Sequence, residues 1–167
     1  RLLAYNRVVS DLAGHTPAEL LAAIAAAGFV VGAPSVSAAT PRGRRQFALY
    51  LDGSWRDLEF VDGSSLPDDP VSRLDAQILQ DRILGPILGI DDPRTSERIR
   101  FIGDIEGTGR LEELAGTRGV AFSLFPTSID ELMAVSDAGR LMPPKSTWFE
   151  PKLRSGLFIR KIREDAG

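Results

Sequence analysis

The chain has 167 residues, 43% hydrophobic and 26% charged, with 16 glycines, 11 prolines and a formal net charge of −3. That is the size of one domain with a genuine core, short elements and many turns. The absence of cysteine excludes disulfides, thiolate nucleophiles and thiolate metal sites, and a single histidine, His15, argues against a His-based metal centre or a Ser-His relay.

Arg1 to Val9 places Leu2, Leu3, Val8 and Val9 among polar residues and reads as a strand. Thr16-Pro17-Ala18-Glu19 is a strong helix start. Thr16 caps the first free N–H groups, Pro17 suits the first helical position, and Glu19 completes a capping box. The alanine-rich helix that follows buries Leu20, Leu21 and Ile24 and ends near Gly28. His15, just before it, is expected to be an exposed loop residue. Phe29 to Val31 is a further strand, and Gly32 to Arg45 is a small, polar, basic loop. Gln46 to Leu51 and Trp55 to Val61 form a hairpin across Asp52-Gly53-Ser54, with Trp55 in the packing.

Val71 to Leu84 carries Leu74, Ile78, Leu79 and Ile83 at helical spacing and predicts one amphipathic helix, interrupted at Gly85-Pro86. A short turn through Ile87, Leu88 and Ile90 follows, then a turn at Asp91-Asp92-Pro93. Ile99 to Ile102 reads as a strand, Arg110 to Ala115 as a helix and Val120 to Phe125 as a buried strand. Ser128 to Ala138 is a helix capped by Thr127 or Ser128 and closed by Gly139, and Gly156 to Ile162 forms a last strand. These elements mix without regular βα alternation, so the expected fold is α+β, with a mixed, largely antiparallel sheet and about four short helices.

Charge is unevenly spread. Between Arg140 and Arg163 seven basic residues face one acid, Glu150, so that segment carries +6 and the rest of the chain −9. A local excess of this kind attracts a small anion, whereas the acidic whole argues against nucleic-acid binding. The candidate site is Pro143-Pro144-Lys145-Ser146-Thr147. Its prolines hold the backbone extended before an ammonium and two hydroxyls, a combination suited to a phosphate or carboxylate. The spacing is not that of a P-loop. Lys152 and Arg154 are candidates for completing the same pocket, with Gly156 permitting close approach; a solvated turn is the competing reading. Arg94 is a further anion-binding candidate, against which stands simple pairing with Asp91, Asp92 or Glu97. Asp68-Asp69 and Asp91-Asp92 lack the spaced ligands of a calcium loop, and no metal is expected. No catalytic residue and no cofactor is named by these patterns.

"DPVSRLDAQILQDRILGPILGI" (Asp69 to Ile90), "DDPRTSERIRFIG" (Asp91 to Gly103) and "FPTSIDELMAVSDAGRLMPPKSTWFEPKLRSGLFI" (Phe125 to Ile159) resemble the C-terminal part of the prokaryotic domain of unknown function 1015 family, and "AYNRVVSDL" looks like the start of its second half. The Met-Pro-Pro-Lys-Ser-Thr block is the most specific part of this resemblance. It implies an upstream half bearing an Asp-Gly-His-His-Arg-like block, related to the partition-protein and sulfiredoxin-like fold in which free-serine kinases also occur. It further implies a link to serine metabolism or phosphoryl transfer. This chain has no such block, so no catalytic residue carries over. With Arg1 in place of an initiating Met, the expectation is a single α+β domain over residues 1–167, the C-terminal half of a longer protein. Its expected partners are that upstream half and a small anionic metabolite or nucleotide. No stretch is apolar enough to span a bilayer and no leader is read at the start, so a cytoplasmic setting is expected. The alternative is a non-catalytic module that packs against the upstream half or a second copy.

Overall fold

Tyr5–Val9 and Val120–Leu124 are antiparallel neighbours in the main sheet, which extends to both sides of them. The computed structural model describes residues 2–149. Its strands are β1 (Leu2–Leu3), β2 (Tyr5–Val9), β3 (Phe29–Val31), β4 (Gln46–Leu51), β5 (Ser54–Phe60), β6 (Ile99–Gly103), β7 (Val120–Leu124) and β8 (Trp148–Phe149). Its helices are α1 (Pro17–Ala26), α2 (Asp75–Leu79), α3 (Thr108–Ala115) and α4 (Ile129–Asp137). Six strands form one sheet in the order β3-β5-β4-β7-β2-β6, and β1 pairs with β8 in a two-stranded ribbon. Every pairing among the described residues is antiparallel. The molecule is therefore α+β, with four helices on a mostly antiparallel sheet.

Local chemistry fixes the element starts. The Glu19 amide donates to Thr16 Oγ1 (3.3 Å) and the Thr16 amide to Glu19 Oε2 (2.8 Å), the reciprocal bonds of a capping box. Ser128 and Glu131 repeat the arrangement at α4 (3.1 and 2.9 Å), so Ser128 rather than Thr127 is the cap. Thr127 is thereby left free to donate to the Ser146 carbonyl at 3.3 Å. In the β4–β5 turn Asp52 and Gly53 both adopt positive φ (48° and 73°), whose twist matches the strands it joins.

Alternate residues of each strand face opposite sides. On one side Phe47, Leu49, Leu58, Phe60 and Phe122 pack with Leu20 and Ile24 of α1 and with Ile78, Leu79 and Ile83. On the other, Val8, Ala48, Trp55 and Ala121 pack with Leu111 and Ala115 of α3, and Trp55 Nε1 donates to Glu112 Oε1 at 2.7 Å. At ~25 cal/mol per Å² of apolar surface, each fully buried Leu, Ile or Phe stabilises by roughly 1.5–3 kcal/mol.

The single helix expected over Val71 to Leu84 is instead α2 followed by one π-helical turn, Gln80–Leu84. Asp69 Oδ2 accepts from both the amide and the hydroxyl of Ser72 (3.1 and 3.0 Å), which spends the first residues on a turn. Pro86 has no N–H to give, and the chain closes through wider loops: Gly85 N donates to Gln80 O and Leu88 N to Ile83 O. His15, expected in solvent, is half-buried with Nε2 3.3 Å from the Ile87 carbonyl oxygen. The strand expected over Gly156 to Ile162 lies outside the described residues. No helix of the described residues is long and apolar enough to cross a membrane.

Candidate functional site

Antiparallel order places β2 between β6 and β7, so Arg7 is paired across to Phe101 on one side and Phe122 on the other. Its guanidinium lies 5.2 Å from the Phe101 ring centroid. Nη2 donates to the Lys145 carbonyl at 3.1 Å and Nη1 donates to the Tyr5 carbonyl. Arg7 is only 3% exposed, and burial pulls its pKa down to about 10, so it stays cationic at neutral pH. No carboxylate among the described residues forms an ion pair with it.

The 140–147 loop is folded onto this arginine. Ser146 is buried, its Oγ donating to the Pro143 carbonyl at 2.7 Å and its own carbonyl accepting from Thr127. Lys145 takes a left-handed φ of 55°, which carries its ammonium over Tyr5, 5.5 Å from the ring centroid. Tyr5 in turn meets Trp148 edge-on at 5.1 Å. Trp148 fits because Gly103 lacks a side chain: a Cβ there would stand 2.8 Å from Trp148 Cε3.

Two adjoining hollows result, sharing Pro93, Arg94, Phe101 and Pro144 as a common wall. The larger is an open cleft of about 750 Å³ bordered by Tyr5 and Trp148 and by four cationic side chains, Arg94, Arg100, Arg110 and Lys145. No carboxylate of the described residues lines it. Arg110 is tied outward to Glu113 (2.7 Å) and, more loosely, Glu106 (3.8 Å), whereas Arg100 and Lys145 form no ion pair among the described residues. The smaller is a recess of about 310 Å³ over Arg7, with walls of Ala76, Leu84, Phe101, Pro93, Pro143 and Pro144. Gln77, Gln80, Asp91, Asp92 and Arg94 also line it.

The sequence candidates fall into three groups. Lys145 and Arg94 border the same cleft, although Arg94 also grips Asp92 through two bonds of 3.0 Å, the pairing that competed with its anion-binding reading. That bond holds its pKa above the usual value. Ser146 is committed to shaping the loop, and half-buried Thr147 borders neither hollow. Lys152 and Arg154 lie outside the described residues. Sequence reasoning missed Arg7, Arg100, Arg110 and Tyr5. A charged residue inside the otherwise buried run Asn6 to Val9 was the available signal for Arg7; nothing local signals the other three.

A second buried ionisable group adjoins the recess wall. Asp75, 8% exposed, precedes Ala76 and accepts from the Arg45 amide at 2.9 Å. Burial pushes its carboxyl up to about 7, helped by the charge of Glu131 and opposed by the Arg45 amide.

Comparison with curated proteins finds no match. Among solved structures the chain resembles a mutant free serine kinase in complex with AMP, at 15% identity and a TM-score of 0.49. The likeness covers 89% of this chain and 53% of that one, so the chain spans about half the length of the protein it matches. Residues 1–77 match the family model described as Protein of unknown function (DUF1015), the family that the sequence resembles.

Proposed function

We propose that the open cleft holds the phosphate or carboxylate of a small metabolite or nucleotide. The observation that supports this reading is that Arg94, Arg100, Arg110 and Lys145 all line one cleft that no carboxylate of the described residues lines. Such a field raises the local concentration of anions, and each charge-assisted bond formed stabilises the bound group by ~1.5–3 kcal/mol. Tyr5 and Trp148 at the rim offer flat apolar surface for the remainder of a ligand. In the reading implied by the family resemblance, the chain is the C-terminal half of an enzyme of serine metabolism or phosphoryl transfer, and the cleft supplies part of its substrate site.

Titration of the chain with nucleotides and phosphoamino acids, with and without Lys145→Ala, tests the proposal. Binding should weaken about tenfold or more in the variant, as loss of one such bond requires. Unchanged affinity removes Lys145 from the site.

One observation favours the alternative of an interaction module. Ile129 and Met133 stand one helical turn apart on α4, 67% and 50% exposed, and Leu141 just beyond is 89% exposed. A monomer by light scattering at micromolar concentration, with no capture of a separately produced upstream half, counts against that reading.

A further inference from the structure

Arg7 has the burial of a core residue and the charge of a surface one. A cation removed from water needs a compensating charge, and backbone carbonyl dipoles supply only part of one. The two carbonyls that it meets take one N–H from each terminal nitrogen, while a guanidinium carries five. The side chain lines a recess whose other walls are mostly apolar, and Phe101 covers one face of its guanidinium.

The neighbouring polar groups narrow the ligand class. Gln80 is committed to the Ile90 carbonyl (2.7 Å) and Gln77 to Asp81 (2.8 Å). Arg94 is neutralised by Asp92, and Asp91 stands exposed beside them. A dianion would meet one available cation and a repelling carboxylate at the mouth. A planar monoanion matches the guanidinium fork and leaves its body against Ala76, Leu84 and the prolines.

The geometry points to a second ligand site, distinct from the open cleft: the Arg7 recess binds the carboxylate of a small organic acid with an apolar body. About 310 Å³ accommodates an acid of only a few carbons. Because this site uses a different cation, Arg7, which does not line the cleft, it stands or falls separately from the reading of the cleft.

The test is an NMR titration of the chain with isovalerate, with uncharged isovaleramide of the same shape, and with inorganic phosphate as the probe for the cleft. Isovalerate should shift the Phe101 ring resonances and bind at least tenfold more tightly than isovaleramide, and at least tenfold more tightly than it binds Arg7→Met. Arg100→Ala should leave isovalerate within about twofold while weakening phosphate. Should Arg7→Met fail to fold, Gln77→Trp fills the recess from its half-buried rim while leaving the arginine intact. That variant should abolish isovalerate binding and spare phosphate binding. No isovalerate shift up to about 20 mM, equal binding of the amide, or undiminished binding in Gln77→Trp overturns the proposal.

Discussion

The open cleft and the Arg7 recess share a wall, yet they hold positive charge in opposite ways. In the cleft, Arg94 and Arg110 keep their charges in water beside acids, and exposed Arg100 adds its charge without any ion pair among the described residues. In the recess one guanidinium is nearly sealed from solvent and forms no ion pair among the described residues. Number of charges and desolvation are thus separate levers. Many solvated charges attract loosely and are screened by salt, whereas one desolvated charge discriminates strongly at short range.

Asp75 extends this comparison to a buried acid and should show the largest effect. Its pKa rises from an ordinary 3.8 to about 7 in the folded chain, so the folded state holds its proton more tightly than the unfolded state. The stability this confers is fully present below about pH 4, is lost as pH rises toward 7, and is absent above it. At 1.36 kcal/mol per pKa unit the loss is at most about 4 kcal/mol. Asp75→Asn keeps an acceptor for the Arg45 amide, so its urea midpoint should exceed the wild-type value at pH 8 and show a flatter profile between pH 4 and 7. An identical profile in the variant removes Asp75 as the source.

Gly103→Ala should cost roughly 1–3 kcal/mol, because its methyl meets Trp148 and that ring must leave its place against β6. Trp148 fluorescence should report the displacement along with a lower urea midpoint; an unmoved emission maximum contradicts the close contact. Arg7→Met should alter stability by no more than about 1 kcal/mol, since relief of the buried cation's desolvation offsets the loss of its bonds to the Tyr5 and Lys145 carbonyls. A loss of 3 kcal/mol or more, in the range expected on breaking a buried ion pair, shows that Arg7 has a compensating partner and ends the contrast. Arg100→Ala should change stability least, within about 0.5 kcal/mol, because its charge is already solvated.

What the sequence made legible is local. The Thr16–Glu19 and Ser128–Glu131 boxes and the Asp52-Gly53 turn are complete within four residues, so their chemistry could be read without knowing the fold. Periodicity alone does not set the bounds of the helix over Val71 to Leu84: a side-chain turn at Asp69 delays its start and Pro86 widens its end. For the site, the Lys145 loop and Arg94 were visible as residue types, and Arg94's bond to Asp92 was one of the pairings weighed. The meeting of Lys145 with Tyr5, Arg100 and Arg110 depends on which strands become neighbours in the sheet, a fact of topology that no short stretch encodes. Arg7 is the intermediate case, its strand and its oddity both readable but its lack of an ion pair among the described residues not.

Whether the cleft bordered by Lys145 and Arg100 collects an anionic group can be seen with an anomalous scatterer shaped like phosphate. Crystals of the chain soaked in tungstate should show an anomalous peak within hydrogen-bonding distance of Lys145 Nζ or the Arg100 guanidinium. In Lys145→Ala/Arg100→Ala crystals that peak should vanish. Tungstate bound only elsewhere, or a peak that persists in the double variant, contradicts the account.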